Sequence, residues 1–530
     1  MVNYSCEICK KPSQQNCGQC GLVYYCSKEH QILDWKKSHK KNCLNFKIES
    51  NDRLGRFITA TRSIHVGEAI VKKKPIVLAP KTISQILCLG CHKTLSNKIE
   101  FSCTKCSWPL CSSKCEESKH HQEECKIFSK QKYRPTLKDG EKQTCYAIIG
   151  PLRVLLLKTT DKYQHIISMQ DHLEKQKNSQ VYSILKQTLV PEIITKLKIN
   201  TDENEILKIC SIFDTNSFQV RDSKGLINIR GLYPTVSLIS HDCKSNTRHV
   251  FIGEDLEICF SATFPIGKNE LITTTYTQTL WGTLARREHL ISSKNFECNC
   301  QRCSDPTEFG TYVGSIYCSM CRQHNKSNCC PKMISTDPLD ASAPWECEQC
   351  SRSMNAKQYS YGNETLKNEI LRLDKKNPKK FEEFLEKYKD ILHPTNSHVL
   401  EVKYALSQMH GNMDGFLLTD LGDDLLIDLT EEQIQRKIDV CKELLEIADV
   451  LEPGFSRFRG SLLYDLHAAM VFKTKSDYTQ GKITLETANE VMLEAVNILQ
   501  ESAKILIVEP DMSEILRNRL EHLSNFLSLD

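Results

Sequence analysis

Apolar positions change period along the chain, and the changes divide it. From Gly55 to Arg62 and through Gly67-Glu68, turn residues punctuate short runs, and a β-branched, apolar stretch follows from Ala69 to Leu78, a pattern of short strands. Residues 130–209 read mostly as helix, with Leu152, Leu155 and Leu156, then Ile184, Leu185 and Leu189, on recurring faces. Leu256 to Ala262 alternates like a strand, Pro265 to Lys268 makes a turn, and Leu271 to Thr275 is β-branched up to Tyr276. Beyond about residue 360 the period is helical. Ile434, Ile438, Cys441 and Leu445 share one face, and so do Leu485, Ala488, Met492, Ala495 and Leu499. A bundle or an array of helix pairs follows, with an acidic connector at Asp420, Asp423, Asp424 and Asp428.

A chain of 530 residues exceeds what one core organises, which predicts about three or four domains. The sequence has no apolar run of ~18 residues and no secretory apolar stretch from Met1 to Cys9, so no membrane partner is expected and the expected location is cytoplasmic, nuclear or both. In that reducing setting 27 cysteines clustered in CxxC pairs beside histidines indicate zinc rather than disulfides. Zinc also changes the charge. The formal net is +4, but 21 thiolates and six zinc ions would bring it to −5, so specific nucleic-acid binding is not expected. The lysines at 36, 37, 40, 41 and 72–74 read as solvated faces.

The first array is Cys6, Cys9, Cys17, Cys20, Cys26, His30, His39 and Cys43, eight ligands for two tetrahedral ions. Cys26 and His30 stand at i and i+4, as do His39 and Cys43, spacings that share one helix face. With Tyr25-Cys26-Ser27 and Trp35 the array resembles a MYND finger, in which His30 stands where cysteine is usual. The resemblance implies one zinc on Cys6, Cys9, Cys26 and His30 and another on Cys17, Cys20, His39 and Cys43. A second array repeats the ligand order at Cys88, Cys91, Cys103, Cys106, Cys111, Cys115, His121 and Cys125. His121 is preferred to His120 because its spacing to Cys125 copies that of His39 to Cys43. Such fingers either dock short proline-containing peptides or stabilise the surrounding fold.

Four further segments complete the picture. They are Asn216-Ser217-Phe218, Gly231-Leu232-Tyr233-Pro234, Ser237 to Cys243, and Asn246-Thr247. Cys298, Cys300 and Cys303 leave a tetrahedral site one ligand short, and Cys243 is the natural fourth. Cys318, Cys321, Cys347 and Cys350, beside Trp345, resemble a zinc ribbon, with Cys329 and Cys330 as alternative ligands.

Taken in order, these pieces resemble the SMYD branch of SET-domain protein-lysine methyltransferases, in particular its arthropod-specific group. The resemblance implies a multi-domain α+β protein in which a finger and a helical insert interrupt a β-rich SET domain. The expected units are an N-terminal MYND finger (1–46), the first SET part (47–85), a second, divergent finger (86–127), a helical insert (128–212), the SET core (213–285), a post-SET segment with the ribbon (286–355) and an all-α, tetratricopeptide-like domain (356–530). It implies S-adenosylmethionine as cofactor beside about six structural zinc ions, and a protein substrate with a target lysine. Tyr276 would orient methyl group and amine, and Gly55, Arg56, Asn216, Ser240, His241, Tyr276 and Phe296 would meet the cofactor. The chain departs from the family pattern at Phe57, Ser240, Asp242 and Ser245. The alternative expectation is an inactive SET fold whose fingers recruit peptide partners, in transcriptional repression for example.

Overall fold

The computed structural model describes residues 5–13, 15–17, 23–40, 43, 45–95, 99–138, 141–222, 225–324, 331–413, 416–421 and 424–527. The central layer is a set of small sheets built from strands far apart in sequence. The hairpin of β1 (Phe46–Asn51) and β2 (Gly55–Ala60) turns at Gly55, whose φ of 65° suits glycine. The apolar stretch after Gly67 breaks into β3 (Ala69–Lys73) and β4 (Val77–Pro80), which join different sheets. With β5 (Phe218–Asp222) and β6 (Gly225–Leu232), β4 forms a three-stranded sheet of order β4-β6-β5.

Next come β7 (Ser240–His241), β8 (Thr247–Ile252), β9 (Glu257–Ala262) and β10 (Thr273–Thr274). β8-β9-β3 is antiparallel, whereas β7 and β10 pair in parallel, with Ser240 opposite Thr273 and His241 opposite Thr274. The buried Asn246 fixes this crossing. Its amide donates to Leu271 O (2.8 Å), its carbonyl accepts from Thr273 N (2.8 Å), and Thr247 Oγ1 donates to Thr273 O (2.7 Å).

The insert is helical from Cys145, and its last helix, α1 (Glu203–Asn216), is started by the Asp202 cap and buries Ile206, Ile209, Ile212 and Phe213. Ile184 is exposed although it shares the predicted apolar pattern. The second cysteine array belongs to the same core. Trp108 is fully buried and stacks on Phe128 (5.2 Å between centroids), with Tyr146 at 5.4 Å, so this finger packs as part of the sheet assembly. The first finger has its own small cluster around Cys6, Cys17 and Tyr25 and leaves Ile32 and Leu33 about half exposed.

After α2 (Thr283–Lys294) the ribbon forms a four-stranded sheet, and helices follow: α3 (Ser397–Asn412), α4 (Glu431–Leu451), α5 (Arg457–Thr479) and α6 (Leu485–Leu506). The predicted faces of α4 and α6 are buried at Ile434, Ile438, Cys441, Ala488, Ala495 and Leu499, while Leu485 is exposed at the first turn of α6. This region is not purely helical, because the hairpin Phe416–Leu421 with Asp424–Ile427 interrupts it at the predicted acidic connector. The helical layer closes on the sheets through Phe455 N, which donates to Thr263 O at 2.8 Å next to Gly454. No helix among the described residues is long and apolar enough to cross a membrane.

Candidate functional site

A tetrahedral zinc ion with ~2.3 Å bonds to sulfur spaces its ligands about 3.8 Å apart, and slightly less where a histidine nitrogen is one of them. The cysteine arrays meet this test. In the first finger Cys6, Cys9, Cys26 and His30 converge, with Cys9 and Cys26 sulfurs 3.4 Å apart and His30 Nδ1 3.5 Å from Cys6 and 3.2 Å from Cys26. Cys26 lies just ahead of the helix Lys28–Asp34 rather than on its face, because Ser27 caps that helix by accepting from His30 N. Cys17 and Cys43 sulfurs are 3.8 Å apart near the buried His39, and Cys20 lies outside the described residues.

In the second finger Cys88, Cys91, Cys111 and Cys115 form one group and Cys103, Cys106, His121 and Cys125 another. His121 Nε2 is 3.4 Å from Cys106 Sγ, while His120 packs against His92 outside the group. On its other side His121 Nδ1 faces Glu124 Oε1 at 3.5 Å, and Arg153 grips that carboxylate with two hydrogen bonds (2.6 and 2.8 Å). A carboxylate behind a metal-facing histidine fixes its tautomer and orientation. The ribbon brings together Cys318, Cys321, Cys347 and Cys350, with Cys329 and Cys330 outside the described residues. These donor sets, all thiolate or thiolate with one imidazole, suit zinc, and four protein ligands leave no open position for catalysis by the metal.

The fifth group, Cys243, Cys298, Cys300 and Cys303, sits against the candidate active site. Two buried arginines surround it. Arg286 donates to Cys243 Sγ (3.3 Å) and Cys303 Sγ (3.5 Å), and Arg286 and Arg302 both bind the Glu308 carboxylate, at 2.6 and 3.0 Å. Four thiolates around one divalent ion carry a net −2, which the two guanidiniums, sharing the Glu308 carboxylate, offset in part.

His241 links this group to Tyr276. Burial drops the imidazole pKa to about 4, so the ring is neutral. Nδ1 accepts from Tyr276 N at 3.0 Å, which assigns the proton to Nε2, directed at Cys243 Sγ at 3.2 Å. Both ring nitrogens are therefore engaged within the protein. The Tyr276 hydroxyl donates to Ile239 O (2.6 Å), and burial raises its pKa, which keeps it protonated. Phe296 completes an aromatic cluster, 5.8 Å from the His241 ring and 6.5 Å from that of Tyr276.

Asn216 closes α1 beside this cluster, its amide donating to Gln170 O (2.7 Å) and Ile212 O (2.9 Å). Arg56, next to the Gly55 turn, donates to Ser168 O (2.6 Å), while Ser240 is held by its pairing with Thr273. Asp242 accepts from Lys244 N, and burial, with Cys300 beside it, raises its carboxyl pKa to about 6. Sequence reasoning missed Lys294. Its ammonium donates to Thr215 O (2.9 Å) and Asp214 O (3.3 Å) at the end of α1, 5.8 Å from the Tyr276 ring centre, and burial lowers its pKa. The Phe-Glu-Cys run just after it was the only local signal of its place.

The sequence profile of the MYND finger matches residues 6–43. Among curated proteins the chain is 28% identical over 339 residues to the SET domain-containing protein SmydA-8, isoform A, of Drosophila melanogaster, spanning 62% of this chain and 70% of that one. It is 29% identical over 285 residues to the histone-lysine N-methyltransferase ASHR1 of Arabidopsis thaliana, spanning 52% and 58%. Among solved structures, the SET domain of LSMT bound to lysine and AdoHcy aligns over 94% of this chain and 93% of that one at 11% identity, with a TM-score of 0.25, too loose a superposition to bear on the fold.

Proposed function

We propose that this relative of the SET- and MYND-domain proteins is a protein-lysine N-methyltransferase that uses S-adenosylmethionine. The observation that carries the reading is the convergence of His241, Tyr276 and Phe296, drawn from separate segments, around a half-buried, protonated tyrosine hydroxyl, with Lys294 bridging the Tyr276 ring and the end of α1, where Asn216 lies. The residues fit the cofactor. The hydroxyl proton is committed to Ile239 O, which leaves the oxygen lone pairs to orient a methyl group and an amine, and the aromatic rings exclude water. Bound S-adenosylmethionine supplies the methyl group. The chain's own part is to hold Tyr276 through His241 and Cys243, to position Asn216 through α1, and to shield the amine from solvent.

Zinc in this reading is structural, and the two fingers divide their labour. The second is scaffold, whereas the first, with Ile32 and Leu33 exposed, is the one placed to dock a proline-containing peptide. The test is transfer of labelled methyl from S-adenosylmethionine to lysine-bearing protein substrates by wild type and Tyr276→Phe. Transfer by wild type that falls by at least two orders of magnitude in Tyr276→Phe supports the reading, and transfer that survives unchanged in Tyr276→Phe sinks it.

A further inference from the structure

The last turn of α1 ends on the carbonyls of Asp214 and Thr215, which the helix itself leaves without an N–H partner because the chain is already extended at Ser217. Such a helix end carries partial negative charge, and α1 has no basic residue in its own last turn to answer it. Lys294 answers it from another element. It is the last residue of α2, which stops there as Asn295 turns left-handed at φ 60°. Its ammonium donates to Thr215 O (2.9 Å) and Asp214 O (3.3 Å), the hydrogen bonds that join α1 to α2 among the described residues. The same ammonium stands 5.8 Å from the centre of the Tyr276 ring, within reach of a cation–π attraction. Lys294 forms no ion pair among the described residues, and the Asp214 carboxylate is taken by Arg230 (2.8 Å). A largely desolvated cation without a carboxylate is costly, so carbonyl dipoles and a ring face hold Lys294 where it is, and burial lowers its pKa.

We infer that Lys294 is a positioning residue of the proposed site, whose ammonium fastens the end of α1, and with it Asn216, against the face of Tyr276. The inference rests on the function proposed above and adds a residue to that site. The side-chain bonds of Asn216 run to Gln170 in the insert and back into α1 at Ile212, so they do not set its distance from Tyr276. The Arg230 pair with Asp214 ties the helix end to β6 instead. Lys294 alone among these contacts reaches both α1 and the tyrosine. Its charge supplies the hold and its stem the reach. Arginine keeps the charge and the donors, whereas methionine keeps a stem of similar length and has neither.

The experiment uses the zinc-loaded full chain as wild type, Lys294→Met, Lys294→Arg and Lys175→Met. Hydrogen–deuterium exchange read by mass spectrometry follows the end of α1, and calorimetry with S-adenosylmethionine gives the affinity. Lys294→Met should speed exchange at the end of α1 about tenfold and weaken cofactor binding about tenfold, while exchange in the sheet β8-β9-β3 and zinc content stay as in wild type. Lys294→Arg should bring both readouts back to within about threefold of wild type. Lys175→Met, which loses a bond to Asn295 O (2.9 Å) rather than to the end of α1, should change neither. Unchanged exchange in Lys294→Met overturns the inference, and so does an arginine variant as impaired as the methionine one. Tighter cofactor binding in Lys294→Met than in wild type overturns it too, because the ammonium would then be repelling the sulfonium instead of holding Asn216. The two readouts separate this inference from the function it rests on. Wild type that binds no cofactor while α1 loosens in Lys294→Met removes the enzyme and keeps the fastening, and wild type that binds cofactor while α1 and affinity stay unmoved in that variant does the reverse.

Discussion

Replacing Glu308 by glutamine tests how the post-SET cysteine group is held. Glu308 is 2% exposed and accepts from Arg286 (2.6 Å), Arg302 (3.0 Å) and the Thr283 backbone (2.9 Å). The variant keeps the shape, removes the charge and leaves two fully buried guanidiniums facing a neutral amide. Breaking a buried ion pair from one side costs about 3–5 kcal/mol, a large part of the roughly 5–15 kcal/mol that stabilises a domain. Arg286 also donates to Cys243 and Cys303, so its displacement loosens the group that orients His241 and Tyr276. Glu308→Gln should therefore lose about 3–5 kcal/mol in urea denaturation followed by circular dichroism, and release metal faster to a colorimetric chelator. A loss under about 1 kcal/mol with unchanged metal retention would refute the reasoning.

Other consequences are as specific. His249, ringed by Phe218, Phe251 and Phe260, has its pKa lowered by burial to about 4. Between pH 6.5 and 4 the unfolded chain binds the proton and the native state does not, so stability falls with pH at about 1.4 kcal/mol per unit; from pH 6.5 to 5 wild type should lose about 2 kcal/mol more than His249→Phe in urea titrations. Gly454 has φ of 74° and a Cβ there would lie 2.1 Å from Thr263 O, so Gly454→Ala should destabilise by at least about 2 kcal/mol and unseat the helical layer, read as faster proteolysis between sheets and helices. Chelation should unfold the second finger together with the sheet core, seen as loss of the near-ultraviolet signal of Trp108, whereas the first finger should melt without it.

The zinc ligands were legible because tetrahedral coordination writes its geometry into local spacing, and the five described groups assemble as their CxxC pairs suggested, Cys243 with the distant Cys298-Cys300-Cys303 included. Tyr276 was singled out by the order of the segments and the family resemblance they carry, since its place beside His241 depends on a parallel pairing, Ser240 with Thr273, that no local pattern encodes. The burial of Arg286, Arg302 and Glu308 was not legible in sequence, because burial of a charge is decided by tertiary packing. Lys294 was missed for the same reason. The helix-face argument for Cys26 failed at one position, since a capping serine starts that helix two residues later. Periodicity found the buried faces of α4 and α6 but did not separate Ile184 or Leu485, which share the pattern and meet solvent.

Calorimetric titration of the zinc-loaded protein with S-adenosylmethionine, beside Asn216→Ala, tests the central claim most directly. The account predicts saturable binding by wild type and binding weakened about tenfold or more in the variant. No binding to well-folded wild type at millimolar cofactor would contradict it and leave the chain a peptide-recruiting adaptor built on the same fold.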